Sequence, residues 1–121
     1  MPTVLVVDDA AFMRSMIRDI LTKNGFDVVG EAGNGNEAIR LFEELSPDLV
    51  TMDIVMPLKS GIEATREIIG SHPDAQIVIC SALGQESLVM EAMEVGAKDF
   101  IVKPFKEEQV LEICRRLASQ T

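Results

Sequence analysis

Five polar side chains each stand directly after a short apolar run: Asp8 and Asp9 after TVLVV, Asp53 after PDLVTM, Ser81 after AQIVIC and Lys103 after DFIV. Two adjacent carboxylates at the tip of a run that seeks burial repel each other and resist losing water. Three acids close together are unfavourable alone, yet they suit a hard divalent cation. Mg2+ prefers oxygen ligands, takes one or two carboxylates and keeps waters that a phosphate can displace. Singly, each of these residues reads as a helix cap or the start of a loop. All five at one place read as a site.

Bringing them to one place is the task of the elements between. The β-branched runs TVLVVD, FDVVGEA, PDLVTMD, AQIVICS and DFIVKP alternate with stretches of helical spacing. Met13, Met16, Ile17, Ile20 and Leu21 share one helix face, with Asn24-Gly25 as the stop. Ala38, Leu41, Phe42 and Leu45 form a second stripe, ended by Ser46-Pro47. GIEATREIIG, ESLVMEAMEVG (stopped by Gly96) and KEEQVLEICRRLAS suggest three more helices. Strict β-α alternation predicts an α/β, doubly wound parallel sheet with helices on both faces and right-handed crossovers. Near-continuous apolar strands fit, because parallel strands are covered on both sides. Ligands of such a sheet bind at the C-terminal ends of its strands. The five polar residues all lie there, although almost the whole chain separates the first from the last.

Composition bounds the setting. A chain of 121 residues with 47% apolar residues is expected to fold as one domain, residues 1–121, with a single core. No apolar run approaches the roughly 20 residues that span a bilayer, and MPTVLVVDD lacks the basic region of a signal peptide. Cys80 and Cys114 match no metal spacing and read as buried thiols of a cytoplasmic protein. A formal charge of −9 argues against nucleic acid, which needs clustered Lys and Arg, and permits a basic partner.

The motifs DD after the first strand, D-x-x-M-P in DIVMP, Ser81-Ala82 and Lys103-Pro104 resemble the receiver domain of two-component response regulators. The resemblance spans essentially the whole chain, and VDDAAFMR, VTMDI, CSALGQ and GAKDFIVKPF are most similar to the chemotaxis members. It implies a flavodoxin-like sheet of five strands in order 2-1-3-4-5, flanked by five helices. Asp53 is then the phosphoryl acceptor, attacking phosphohistidine on a histidine kinase of the chemotaxis type. Mg2+ is held by Asp9, Asp53 and the backbone carbonyl of Val55, with Asp8 acting largely through water. Lys103 pairs with a phosphoryl oxygen and Ser81 donates a hydroxyl hydrogen bond. Pro57 and Gly61 shape the loop beyond Asp53, and a cis bond precedes Pro104. Switching couples Ser81 to Phe100, whose inward turn alters the partner surface of the fourth helix, fifth strand and fifth helix. Without that implication, Phe100 is an ordinary half-buried strand aromatic.

Some positions depart from the pattern. Ser81 stands where Thr is common, Phe100 has no hydroxyl, and Val55 and Leu83 are apolar where polar side chains orient the hydrolytic water. Slow self-dephosphorylation is therefore expected, and a phosphatase partner that needs a polar side chain at position 55 is disfavoured. Position 55 also lacks the second acid of D-x-D phosphatases, so this is expected to be a switch that modifies itself and not a multiple-turnover enzyme. GNGNEA fits a dinucleotide fingerprint but follows the second strand, which makes it a decoy. His72 in SHPDA reads as a solvated turn residue; Met90 and Met93, with Leu88, offer a partner surface, although helical spacing favours core packing for at least Met93. Two roles remain. One is a monomeric regulator that binds the flagellar motor switch protein, with a dedicated phosphatase allowed. The other is a phosphorelay carrier or phosphate sink without a motor partner. The end of the chain at LASQT, soon after the fifth helix, fits a stand-alone receiver.

Overall fold

The β-branched runs form strands, each one or two residues shorter than the apolar stretch that announces it. In the computed structural model, which describes residues 1–120, strands and helices alternate strictly. Their order is β1 (Thr3–Val7), α1 (Ala11–Thr22), β2 (Asp27–Ala32), α2 (Gly35–Leu45), β3 (Leu49–Asp53), α3 (Gly61–Ser71), β4 (Ile77–Ser81), α4 (Glu86–Glu94), β5 (Asp99–Val102) and α5 (Glu107–Ala118). All pairings are parallel and the strand order is β2-β1-β3-β4-β5. The order reverses between β1 and β3, which opens a crevice at their C-terminal ends. On the edge, β2 carries a bulge: Val4 pairs with Val28 but Leu5 with Gly30, which leaves Val29 out of register.

The sheet divides the core by the two-residue period of its strands. Leu5 and Val7, Val50 and Met52, and Ile77 and Ile79 face α2, α3 and α4, where they meet Phe42, Ile68 and Ala92. Val4 and Val6, Leu49, Val78 and Ile101 face the other way, toward Ile17 and Leu21 of α1 and Val110 and Leu117 of α5. No helix among the described residues is long and apolar enough to cross a membrane.

Helix ends follow their local chemistry. Ser60 and Glu63 form a capping box at the start of α3, and Asn34 caps α2 by accepting from the Glu37 N–H. Gly96, at φ +123°, ends α4 with the Ala97 N–H reaching back to the Ala92 carbonyl at 3.1 Å. In α1 the stop comes earlier than expected: Lys23 is the cap, and the Asn24 side chain folds back onto the Ile20 carbonyl. Met93 is a correction. It is exposed, because Val89 and Ala92 make the buried side of α4. His72 is another, since it is more than a solvated turn residue. It caps α3, its ring lies 5.1 Å from that of Phe42, and its Nε2 shares a 2.8 Å hydrogen bond with Glu43.

Candidate functional site

At the end of β1 the chain must turn sharply into α1 while carrying two acids. The Asp8 N–H donates to the Ala32 carbonyl of β2 at 3.0 Å, continuing the sheet by one residue. Oδ1 of Asp8 then accepts from the Ala10 N–H at 2.9 Å, an Asx-type turn into the helix. Nη1 of Arg14 donates to the Asp8 carbonyl at 2.6 Å, and its Nε to Glu31 Oε1 at 3.0 Å. Asp8 is buried, whereas Asp9 is open to solvent.

Asp53 closes β3 beside them. Asp8, Asp9 and Asp53 each offer a carboxylate oxygen within 4.8 Å of the other two. Lys103 joins the group from β5's end: its Nζ donates to Asp8 Oδ2 at 3.0 Å and to Asp53 Oδ1 at 3.1 Å. Burial, and then the neighbouring Asp8 charge, push the Asp53 carboxyl above the usual range, although Lys103 and the Ile54 N–H pull it down. Burial also works against the Lys103 ammonium, but hydrogen bonds and charge from Asp8 and Asp53 outweigh it and hold its pKa above the ordinary value. One ammonium therefore compensates three carboxylates only in part. The remaining negative charge, with oxygen donors throughout and one acid open to water, fits a divalent cation such as Mg2+.

The loop after Asp53 is drawn tight. Gly61 N–H donates to the Ile54 carbonyl at 2.7 Å, and a Cβ on Gly61 would stand 1.8 Å from the Asp53 carbonyl oxygen. Within the loop the Lys59 N–H reaches the Pro57 carbonyl at 2.8 Å around Leu58, whose φ is +69°. Val55 lies in this loop with its side chain exposed. Gly35 braces it from α2: its N–H donates to the Lys59 carbonyl at 2.9 Å, and a Cβ there would stand 2.5 Å from that oxygen. The second glycine of GNGNEA therefore serves backbone contact, while the Asn34 and Glu37 side chains use up donors at the α2 start.

Ser81 is buried at the end of β4, and its carbonyl accepts from the Lys103 N–H at 2.7 Å. The Lys103–Pro104 bond is cis, in line with the expectation drawn from the resemblance. Phe100 sits on β5, 38% exposed, and with Ser81, Leu83, Val89 and Val102 it lines a mainly apolar cavity of about 140 Å3.

All the carboxylates singled out from sequence, with Lys103, thus meet at one sheet edge, and Ser81 and Phe100 face a shared cavity beside it. Arg14 and Glu31 escaped the sequence reading, because nothing in their spacing ties a helix residue to the backbone of Asp8. Gly35 belongs to the fingerprint set aside above as a decoy, and its contact with the Lys59 backbone is the structural role that spacing alone does not show.

Comparison with known proteins follows the same lines. The family described as response regulator receiver domain matches residues 4–115. The chain is 55% identical to the chemotaxis protein CheY of Thermotoga maritima, over 95% of this chain and 96% of that one. It is 60% identical to CheY of Bacillus subtilis, over 90% and 91%. A solved CheX–CheY–BeF3–Mg2+ complex from Borrelia burgdorferi contains a chain that superposes with a TM-score of 0.90 at 36% identity, covering 95% of this chain and 87% of that one.

Proposed function

The chain belongs to the response regulator receiver domain family, and on that premise we propose that it is a single-domain, cytoplasmic, phosphorylation-operated switch of the chemotaxis type. The observation that carries this reading is the Lys103 ammonium bridging Asp8 and Asp53 inside an acid trio at the end of the sheet. A carboxylate oxygen of Asp53 attacks the phosphorus of phosphohistidine on a histidine kinase; the P–O bond forms, the P–N bond breaks, and the imidazole leaves. Lys103 keeps its hydrogen bond to Asp8 and passes from Asp53 to a phosphoryl oxygen. Asp9, Asp53 and the Val55 carbonyl would hold Mg2+. Asp8, whose two oxygens already serve Ala10 and Lys103, would reach it through water. The bound cation supplies alignment and charge neutralisation, the main demands of phosphoryl transfer.

Signalling needs a second conformation that phosphorylation favours differentially. The Ser81 hydroxyl turns toward the phosphoryl group, and Phe100 turns into the space they share. The cavity of about 140 Å3 supports that motion, since an apolar void of about 150 Å3 accepts a benzene ring. The face carrying Phe100, Val102 and Met90 then changes its affinity for the flagellar motor switch protein.

The test is titration of a motor-switch peptide with and without Mg2+ and beryllofluoride, with Asp53→Asn as control. Tighter binding in the activated wild type alone is expected. No difference, with complex formation at Asp53 demonstrated separately, moves the assignment to a phosphorelay carrier.

A further inference from the structure

The backbone of Asp8 is held at both of its polar groups, and one partner is not a sheet neighbour. Its N–H is fixed by the Ala32 carbonyl. Its carbonyl is fixed by Arg14 Nη1 at 2.6 Å, at the short end for a charge-assisted hydrogen bond. Arg14 is in turn tied to β2 through Glu31, which also pairs with Arg18. Arg14 and Glu31 are both only partly exposed, so this pair is less screened than a surface ion pair. A guanidinium beside a cation site is electrostatically adverse. By charge alone, Arg14 lowers the affinity of Asp8, Asp9 and Asp53 for a cation. What it gives in return is geometry: three mutually repelling carboxylates drive the turn at Asp8-Asp9 to open, and Arg14 ties that turn to the sheet edge.

We infer that Arg14, held by Glu31, is a positioning residue for a divalent-cation site, fixing the Asp8–Asp9 turn so that the carboxylates converge. This inference rests on the reading of the acid trio as a Mg2+ site. It makes a prediction opposite in sign to that of simple electrostatics. Removing the positive charge should tighten cation binding if Arg14 acts through its field, and weaken it if Arg14 acts through the turn.

The experiment is calorimetric titration of MgCl2 into the full chain at constant ionic strength, because there is no Trp or Tyr to report binding. Wild type, Arg14→Met, Arg14→Lys and Asp9→Asn are compared, with thermal midpoints measured alongside. Arg14→Met is expected to weaken the Mg2+ Kd roughly tenfold, the lower end of what outer-shell partners contribute to metal affinity. Arg14→Lys keeps the charge and the fold but cannot bridge the carbonyl and Glu31 with a planar fork, so it is expected to weaken binding by about threefold. Unchanged or tighter binding in Arg14→Met, or wild-type affinity in Arg14→Lys, overturns the inference while leaving the Mg2+ site intact. Absence of Mg2+ binding in the wild type removes the site itself, and the inference with it.

Discussion

At the residue scale the informative group is Asp53, a buried acid whose charge costs the fold something. Its pKa is raised in the folded chain from an ordinary value of 3.8, by burial first and by Asp8 second. The folded state therefore binds the proton more tightly than the unfolded state, and stability falls as pH rises from the ordinary carboxylate range through the folded value. Asp53→Asn, without Mg2+, is expected to be more stable than wild type at neutral pH by about 1 kcal/mol. The difference shrinks toward acid pH, where Asp53 is neutral in both states; urea melts across that range check it, and a difference independent of pH refutes it. Lys103 has the opposite sense. Its raised pKa contributes stability that is present below its ordinary value of 10.5 and is lost as pH rises through the folded one. Val55 and Leu83 are exposed, and neither apolar side chain can hydrogen-bond a hydrolytic water at the proposed acceptor, Asp53. Val55→Asn is expected to speed acyl-phosphate hydrolysis about three- to tenfold, short of the roughly 10²–10⁴ of a positioned general base. Decay of the labelled phosphoprotein measures this, and an unchanged rate sinks it.

At the element scale the site depends on how the loop between β3 and α3 is stretched across the sheet edge. The Cβ of any other residue at position 61 would meet the Asp53 carbonyl oxygen at 1.8 Å, which is backbone and cannot step aside. Gly61→Ala is expected to destabilise the chain by on the order of 3 kcal/mol and to abolish Mg2+ binding, read by thermal melts and calorimetry. Retention of full affinity would show that the loop has slack. The glycines at 35 and 61 were visible in sequence, and Gly61 was assigned to this loop through the resemblance. The contact between Gly35 and Lys59 was not legible, because the two come together only when α2 packs beside α3.

At the scale of the whole molecule, the sheet makes two cores; the free thiol of Cys80 is buried in β4, and that of Cys114 is buried on α5 in the core facing α1 and α5. Burial pushes Cys114 up to about 12 and Cys80 still higher. Since the thiolate is the reactive form, neither is expected to react with a thiol reagent in the native state. Both should react in denaturant, so the labelling rate would follow global unfolding. Fast labelling of Cys80 in native protein would mean that β4 opens locally where it pairs with Asp53.

Most of the fold was legible because it rests on periodicity. Apolar runs that need cover on both faces, alternating with amphipathic helices, leave few arrangements other than a doubly wound parallel sheet. The acids and Lys103 were legible for the same reason, since the ends of parallel strands share one edge. Tertiary structure alone decided what joins positions far apart in sequence: Lys103 bridging Asp8 and Asp53, Arg14 gripping the Asp8 carbonyl, Gly35 bracing the loop at Lys59. It also decided that Met93 lies outside the core, because the angle at which α4 meets the sheet selects Val89 and Ala92 for burial. Local patterns specify which face of an element is apolar. How that element rotates against its neighbours follows from packing, and packing requires the whole chain.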